Sequence, residues 1–220
     1  MYKYILWDLD GTIADTYEGV KNSMAYALEP FGFKLEDKET VDKFIGPPLR
    51  VSIPMVTGFD MVKTEKVIER FRERYAPIGL YECQLFPEVS ETLDRFNEAG
   101  RVQAVSSSKP QVQCVDVLKH LGVGEKFNFI FGATLDGRID SKLQVLEETF
   151  RVMGEKYPNF DKSETILIGD TKYDAIGAKE AGIDCIGVGY GFGSLEEFMD
   201  NDAIGYYETL DEVYNVIINA

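Results

Sequence analysis

The sequence has few of the features that would assign it to several common classes of protein. Its three cysteines, Cys83, Cys114 and Cys185, are odd in number and form no Cys-x-x-Cys pair, which argues against a disulfide framework and a zinc site. The single histidine, His120, provides little for histidine-based hydrolase chemistry. No apolar run approaches the roughly 18 residues of a membrane span, and no basic segment precedes a long apolar stretch at the N-terminus. We therefore expect a cytoplasmic protein without a signal peptide or membrane span.

Basic residues are also scarce. Lysine and arginine total 23 against 38 acidic residues, which gives a formal charge of −15. This balance argues against a nucleic acid or an anionic membrane as a partner. It does not exclude a phosphorylated substrate, because salt screens exposed charges beyond about 8 Å and a cation inside a cleft can override the overall sign.

The periodicity of apolar residues divides the 220-residue chain into two kinds of sequence. Residues 15–84 contain helical segments, near 17–28, 38–44 and 61–75, and no convincing strand. From Leu85 onward, strands and helices alternate, with strands near 102–105, 127–131, 165–168 and 185–188. We expect an α/β fold: a Rossmann-like parallel sheet core formed by residues 1–14 and 85–220, with an inserted all-helical cap domain at 15–84.

Acidic and hydroxyl side chains follow three of the predicted strands. Asp8 and Asp10 follow the first, residues 106–109 (Ser-Ser-Ser-Lys) follow the second, and Asp170 follows the strand at 165–168, with Asp174 four residues later. The carboxyl ends of parallel strands share one edge of a sheet, so these side chains should lie together. Clustered carboxylates repel one another unless a cation lies among them, and Mg²⁺ prefers such oxygen ligands. The sequence therefore predicts a magnesium site.

Each of these residues also has a simpler interpretation. Asp10-Gly11 is a common turn signal, and Asp170 and Asp174 could only complement a helix N-terminus. Residues 106–110 could be an ordinary loop whose proline begins a helix, and Lys142 alone would be a solvated surface lysine. We favour a functional site because all of these residues fall where a parallel sheet places its active site.

Four motifs, in the same order along almost the whole chain, resemble those of the haloacid dehalogenase (HAD) superfamily of phosphatases. Phe44–Leu49 and Tyr190–Ser194 suggest the phosphoglycolate-phosphatase and 5′-nucleotidase-like branch. Trp7 stands where the family usually has Phe, Ser107 where Thr is commoner, and Thr171 where Arg is frequent. The four motifs are Asp8-Leu9-Asp10-Gly11-Thr12, Ser107 before Ser108-Lys109-Pro110, Lys142, and Gly169-Asp170-Thr171-Lys172-Tyr173-Asp174.

The resemblance implies a two-step hydrolysis of phosphate monoesters. Asp8 would attack phosphorus to form an aspartyl-phosphate, which water then hydrolyses. Asp10 would be the general acid for the leaving oxygen and then the general base for that water. Ser107 and Lys142 would bind the other phosphoryl oxygens.

The resemblance also implies the cofactor and the partners. Mg²⁺ would be held by Asp8, the main-chain carbonyl of Asp10, and Asp170, with Asp174 in support. We expect a small phosphorylated metabolite as substrate, no nucleic acid or membrane partner, and a monomer or weak dimer. Further substrate-binding residues would be Gly11, Thr12, Ser108 and Lys109 in the core and Phe44, Gly46 and Arg50 in the insert, with Tyr75 and Tyr81 as additional candidates.

Three other functions remain open from the sequence. A phosphosugar mutase could use the same Asp8 and Asp10, although the fourth motif differs from that of many mutases. A dehalogenase is disfavoured by Asp10, which those relatives lack. A phosphoryl-accepting signalling switch would also place aspartates and a lysine at strand ends, but such domains have about half this length and no helical insert.

The glycine-rich segment 187–193 superficially resembles a dinucleotide-binding fingerprint. It follows a late strand and leads into a short acidic helix, a context that does not fit that fingerprint. We expect a mobile loop over the site.

Overall fold

A computed structural model describes all 220 residues, which fold as two compact units: Met1–Ala14 with Leu85–Ala220, and Asp15–Gln84. The strands are β1 (Tyr4–Trp7), β2 (Ala14–Asp15), β3 (Gln84–Leu85), β4 (Val102–Pro110), β5 (Phe129–Ala133), β6 (Thr165–Gly169), β7 (Asp184–Val188) and β8 (Gly205–Tyr207). The α-helices are α1 (Tyr17–Leu28), α2 (Lys38–Asp42), α3 (Leu49–Thr57), α4 (Met61–Tyr75), α5 (Val89–Glu98), α6 (Gln111–His120), α7 (Lys142–Lys156), α8 (Lys172–Ala181), α9 (Leu195–Met199) and α10 (Leu210–Asn219).

The larger unit contains a six-stranded parallel sheet in the order β5-β4-β1-β6-β7-β8. The chain builds outward from β1 through β4 to β5 and then returns to place β6 on the other side of β1. This reversal creates a crevice at the carboxyl ends of the central strands, which is where open α/β sheets bind ligands. The predicted α/β fold with a parallel sheet is confirmed.

Helices cover both faces of this sheet. Successive side chains of a strand point to opposite faces, so neighbouring residues of β1 pack against helices on opposite sides. Leu6 belongs to a buried cluster with Leu146 of α7 and Ala175 of α8. The next residue, Trp7, is fully buried and packs edge-on against Phe96 of α5, with ring centroids 6.1 Å apart. β1 is therefore apolar on both sides, and its burial fixes where the polar residues that follow it must lie.

The smaller unit consists of α1–α4. Helices α1 and α4 span the residues that the periodicity predicts, and Asp60 caps α4 by accepting a hydrogen bond of 2.8 Å from the Lys63 amide. A Cβ on Gly19 of α1 would run into the carbonyl oxygen of Gly79, so the two backbones pack closer than a side chain permits. Arg74 pairs with Glu82 at 2.8 Å within this unit.

The periodicity misses helix α3 and the strands β2, β3 and β8, and each has a physical reason. Strands β2 and β3 have two residues each, too few to show a period. Helix α3 contains Pro54 in its interior, a residue that removes a backbone donor and usually ends a helix. Strand β8 has only three residues at the edge of the sheet. None of the helices combines the length and the apolar character that crossing a bilayer requires.

Candidate active site

The register of the central strands brings the predicted site residues to one edge. Trp7 lies opposite Val105 of β4 and Ile168 of β6, so the next residue along, Asp8, stands level with Ser106 of β4 and with Gly169, the last residue of β6. Strand β4 continues to Pro110, so residues 106–109 lie within it, whereas the sequence predicts that they follow it. The Asp8 amide donates to the Ile168 carbonyl at 2.9 Å and continues the sheet by one residue. The position of Asp8 is thus fixed by backbone pairing.

Three buried carboxylates meet at this edge. Asp8, Asp170 and Asp174 are 7%, 0% and 1% exposed, and each offers an oxygen within 4.8 Å of the other two. Asp174 also closes the first turn of α8, since its Oδ2 accepts hydrogen bonds from the Thr171 amide at 3.1 Å and hydroxyl at 3.2 Å. The helix-capping interpretation therefore holds for Asp174, and its part in a metal site stays a prediction.

Lys142 provides a cationic side chain that contacts two of these carboxylates, Asp8 and Asp174. It is the first residue of α7, which begins at the capping residue Ser141, and its side chain is 6% exposed. Its Nζ lies 2.5 Å from Asp8 Oδ1 and 2.7 Å from Asp174 Oδ1, and it donates to the Ser106 carbonyl at 2.9 Å. Lys142 is thus a buried ion-pair residue and not a surface lysine.

The charges of this cluster shift its pKa values. Burial opposes the charge on Lys142, but the carboxylates of Asp174 and Asp8 outweigh it, and the pKa of Lys142 is raised. Burial raises the pKa of Asp8 to about 6, because the charge of Lys142 offsets only part of the penalty. Burial, and then the charges of Asp174 and Asp8, raise the pKa of Asp170 well above its usual range.

Three carboxylates against one ammonium leave an excess of negative charge in a buried place. A divalent cation would relieve this excess, and carboxylate oxygens are the ligands that hard cations prefer. The donor set of Asp8, Asp170 and Asp174 therefore fits a divalent metal ion.

Asp10 lies outside this carboxylate cluster, and its side chain pairs with Lys109. The Lys109 Nζ lies 2.9 and 3.0 Å from the two carboxylate oxygens of Asp10, and both side chains are largely buried. Ser107, two residues before Lys109 in β4, is 2% exposed, and its Oγ accepts a hydrogen bond from the Lys109 amide at 3.3 Å. Ser108 lies between them and is partly exposed.

Gly11 and Thr12 both contact the cluster through Asp170. The Thr12 hydroxyl donates to Asp170 Oδ1 at 3.0 Å. Gly11 has a φ of +89°, and a Cβ there would run into the Asp170 carboxylate and lie 2.6 Å from the Phe192 ring. The structure thus gives a reason for glycine at position 11 that is independent of any phosphate.

The predicted substrate residues of the insert lie in the smaller unit. Phe44 is buried, Gly46 has a φ of +100°, and Arg50 Nε lies 2.6 Å from Glu65. Of the additional candidates, Tyr75 stacks on Phe71 with ring centroids 4.7 Å apart, and Tyr81 is 42% exposed. Their part in substrate binding stays a prediction.

Two supporting groups of the site were not predicted. The Ser106 carbonyl accepts from Lys142, and its hydroxyl pairs with Thr149 of α7 at 3.0 Å. A backbone acceptor leaves no trace in the sequence. Gly177 does leave one, since a glycine inside a helix usually has a packing reason, and a Cβ there would run into the Lys142 side chain.

Comparison with known proteins defines the class. A sequence model of the haloacid dehalogenase-like hydrolase family matches residues 5–188. A 5′-nucleotidase of Pseudomonas aeruginosa is 33% identical over 98% of this chain and 96% of its own. The tyrosine-protein kinase PtkA of Mycobacterium tuberculosis is 28% identical over 95% of this chain and 70% of its own, and a phosphoglycolate phosphatase of Vibrio parahaemolyticus is 26% identical over 98% and 96%.

A solved structure agrees over the full length. The crystal structure of a predicted phosphatase from Clostridium acetobutylicum superposes with a TM-score of 0.93 at 32% identity and covers 100% of both chains. The chain therefore belongs to the haloacid dehalogenase-like hydrolase family, as one of its phosphatases. The resemblance drawn from the four motifs is confirmed.

Proposed function

We propose that the protein is a Mg²⁺-dependent phosphatase that hydrolyses small phosphate monoesters through an aspartyl-phosphate intermediate. The substrates would be nucleoside monophosphates or compounds like phosphoglycolate, as the names of two relatives suggest. The observation that carries the proposal is the position of Asp8 at the end of β1, with Oδ1 held 2.5 Å from Lys142 Nζ and two further carboxylates close by.

The chemistry would use Asp8 and Asp10 in turn. The second oxygen of Asp8 attacks phosphorus as the ester P–O bond breaks, and Asp10 gives a proton to the leaving oxygen. Asp10 then takes a proton from water as that water attacks phosphorus, which releases inorganic phosphate and restores the Asp8 carboxylate. Lys109 pairs with Asp10 at 2.9 Å and would hold the Asp10 carboxylate in position for both proton transfers.

Lys142, Ser107 and the metal would serve the phosphoryl oxygens. Lys142 at the start of α7 contacts Asp8, and Ser107 lies in β4, the strand next to β1; both would donate to these oxygens. Asp8, the Asp10 carbonyl and Asp170 would hold Mg²⁺, with Asp174 in support. When bound, Mg²⁺ would neutralise charge between the nucleophile and the phosphate.

We propose further that residues 15–84 act as a cap that closes over the substrate and excludes water from the transfer. Phe44, Gly46 and Arg50 would contact the substrate from this cap. The three free cysteines support a reducing compartment, and we propose the cytoplasm.

The test is a phosphate-release assay over a panel that includes phosphoglycolate, nucleoside 5′-monophosphates, sugar phosphates and pyrophosphate. We expect turnover of a subset with Mg²⁺ and loss of turnover with a chelator. Asp8→Asn should lower kcat by roughly 10⁴-fold or more, because it removes the nucleophile.

Asp136→Asn is the matched control, since Asp136 also precedes a glycine but lies in an exposed turn and pairs with Arg138. It should keep full activity. Hydroxylamine added during turnover should trap the acyl phosphate of the parent enzyme. Phosphate release by Asp8→Asn at the parent rate would remove the covalent mechanism, and isomerisation of a sugar phosphate without phosphate release would favour the mutase.

A further inference from the structure

The loop after β7 makes hydrogen bonds that the proposed chemistry does not use. We call residues 189–193 the glycine clamp. Its two ends are tied to β8 and its middle to the cluster, which favours a fixed loop over the mobile one that the sequence suggests. The bonds are Gly189 amide to Tyr207 carbonyl (2.8 Å), Tyr190 hydroxyl to Thr12 carbonyl (2.9 Å), Phe192 amide to Asp170 Oδ2 (2.9 Å), Gly193 amide to Asp170 carbonyl (3.0 Å) and Tyr206 hydroxyl to Gly193 carbonyl (3.4 Å).

The glycines of the clamp are required by how closely it passes Asp170. A Cβ on Gly191 would run into the Asp170 side chain and lie 2.6 Å from the Gly11 carbonyl oxygen. A Cβ on Gly193 would run into the Asp170 carbonyl oxygen. Since Gly11 approaches the same carboxylate, Asp170 lies between two stretches of backbone that only glycine allows.

These contacts fix the direction of the Asp170 carboxylate. Oδ1 accepts from the Thr12 hydroxyl at 3.0 Å and Oδ2 from the Phe192 amide at 2.9 Å. A carboxylate has about four lone pairs, so each oxygen keeps one that no protein donor uses here. Asp8 and Asp174 each bring an oxygen within 4.8 Å of an Asp170 oxygen.

Tyr190 joins the two donors of Asp170 into one unit. Its hydroxyl bonds the carbonyl of Thr12, while its neighbours in the chain lead directly to the Phe192 amide. Its ring packs on Phe86, with centroids 4.7 Å apart. Burial raises the pKa of this phenol, which keeps it protonated and able to donate.

We propose that the glycine clamp is a positioning element for Asp170, and that through Tyr190 and Gly191 it sets the affinity of the site for a divalent cation. The clamp then changes the affinity of the site for the metal and not its affinity for the substrate. This inference rests on the proposed function, in which Asp170 is a metal ligand. Groups that orient metal ligands typically change metal affinity by about 10- to 100-fold when they are lost.

The experiment is calorimetric titration of the full-length, metal-free protein with MgCl₂, with no substrate present. Tyr190→Phe removes one hydroxyl and keeps the ring on Phe86. We expect it to weaken Mg²⁺ binding by about 3- to 10-fold, the effect of one net hydrogen bond. Gly191→Ala should weaken binding by at least about tenfold, because its Cβ displaces Asp170.

The matched control is Tyr2→Phe. Tyr2 donates to Asp184 at 2.7 Å, at the beginning of β7, whereas the clamp follows its end. We expect both Tyr190→Phe and Tyr2→Phe to lower Tm. Tyr2→Phe should leave Mg²⁺ affinity within about twofold of the parent. A merely structural role for Tyr190 would change Tm alone.

Two results would overturn the proposed role of the glycine clamp, and other results would overturn the proposed metal site on which it rests. Tyr190→Phe that binds Mg²⁺ within about twofold of the parent would overturn the role of the clamp, even if Gly191→Ala fails to fold. Equal weakening in Tyr190→Phe and Tyr2→Phe would do the same. A parent protein that binds no Mg²⁺, or an Asp170→Asn variant that binds it equally well, would instead remove the proposed metal centre and the inference with it.

Discussion

The Asp174 side and the Asp170 side of the carboxylate cluster differ in what balances their negative charge. Asp174 contacts the Lys142 ammonium at 2.7 Å and caps α8 through Thr171. Asp170, which is equally buried, receives hydrogen bonds only from a neutral hydroxyl and a neutral amide among its described partners. One side has a permanent cation of the protein, and the other does not.

This difference indicates on which side of the cluster a divalent cation would relieve the most negative charge. Asp8 stands between the two sides, with one oxygen on Lys142 and the cluster's unbalanced charge on the side of Asp170. Because the pKa of Lys142 is raised, its ammonium stays charged and pairs with Asp8. The variants below break or sharpen this comparison.

Lys142→Met should have the largest effect on stability, because it leaves Asp8 and Asp174 buried without their cation. Breaking a buried ion pair from one side costs about 3–5 kcal/mol of unfolding free energy. Urea unfolding of the metal-free protein would measure the loss, and added Mg²⁺ should restore part of it.

Lys179→Met is the control for this variant. Lys179 lies in the last turn of α8, and its 2.8 Å pair with Asp202 is exposed and should contribute at most about 1 kcal/mol. A Lys142→Met protein as stable as Lys179→Met would show that the permanent cation is not what balances the Asp174 side.

The two sides of the cluster also differ in how far the sequence predicts them. Asp8, Asp170 and Asp174 could be placed near one another because the ends of their strands are visible in the pattern of apolar residues. Lys142 entered the predicted site only through the family resemblance. The neutral donors to Asp170 could not, since Phe192 contributes its backbone amide and the identity of its side chain carries no signal.

The fold shows the same division. Helices with regular apolar spacing, such as Tyr17–Leu28 and Met61–Tyr75, are predicted to the residue. Helix Leu49–Thr57 is missed because Pro54 opposes a local pattern that tertiary packing overrides, with Ser52 and Ile53 buried. Local signals therefore locate the elements, whereas close backbone approaches such as that of Gly191 to Asp170 exist only in three dimensions.

Asp170→Asn should stabilise the metal-free protein, because it removes the charge of one of three carboxylates that are buried close together. Its hydrogen bonds can be kept: the amide oxygen accepts from Phe192, and the amide nitrogen donates to the Thr12 hydroxyl, which can accept as well as donate. The same variant should lose the rise in Tm that Mg²⁺ gives the parent.

Asp174→Asn is the matched variant, for which we expect the opposite change in the stability of the metal-free protein. It removes the ion pair with Lys142 and should therefore destabilise the metal-free protein, where Asp170→Asn stabilises it. Thermal unfolding with and without Mg²⁺ measures both. If the two variants shift Tm in the same direction without metal, the two sides of the cluster are not electrostatically different.

Thr149→Val should have the smallest effect, because it acts on Lys142 only through Ser106. The variant keeps the shape of residue 149 but removes the hydroxyl that pairs with the buried Ser106 hydroxyl at 3.0 Å. We expect a loss of about 1 kcal/mol in urea unfolding. The Ser106 carbonyl, which bonds Lys142, belongs to β4 and is held by the sheet, so kcat should change by less than about threefold.

The double variant Ser106→Ala with Thr149→Val separates the hydroxyl pair from the backbone acceptor. Removing both partners leaves no buried hydroxyl unpaired, so the double variant should be more stable than the sum of the two single losses predicts. Additive losses would mean that each hydroxyl acts alone. A large fall in kcat without a matching loss of stability would mean that Ser106 holds Lys142 through its side chain, and the Asp174 side would then depend on more than its ion pair.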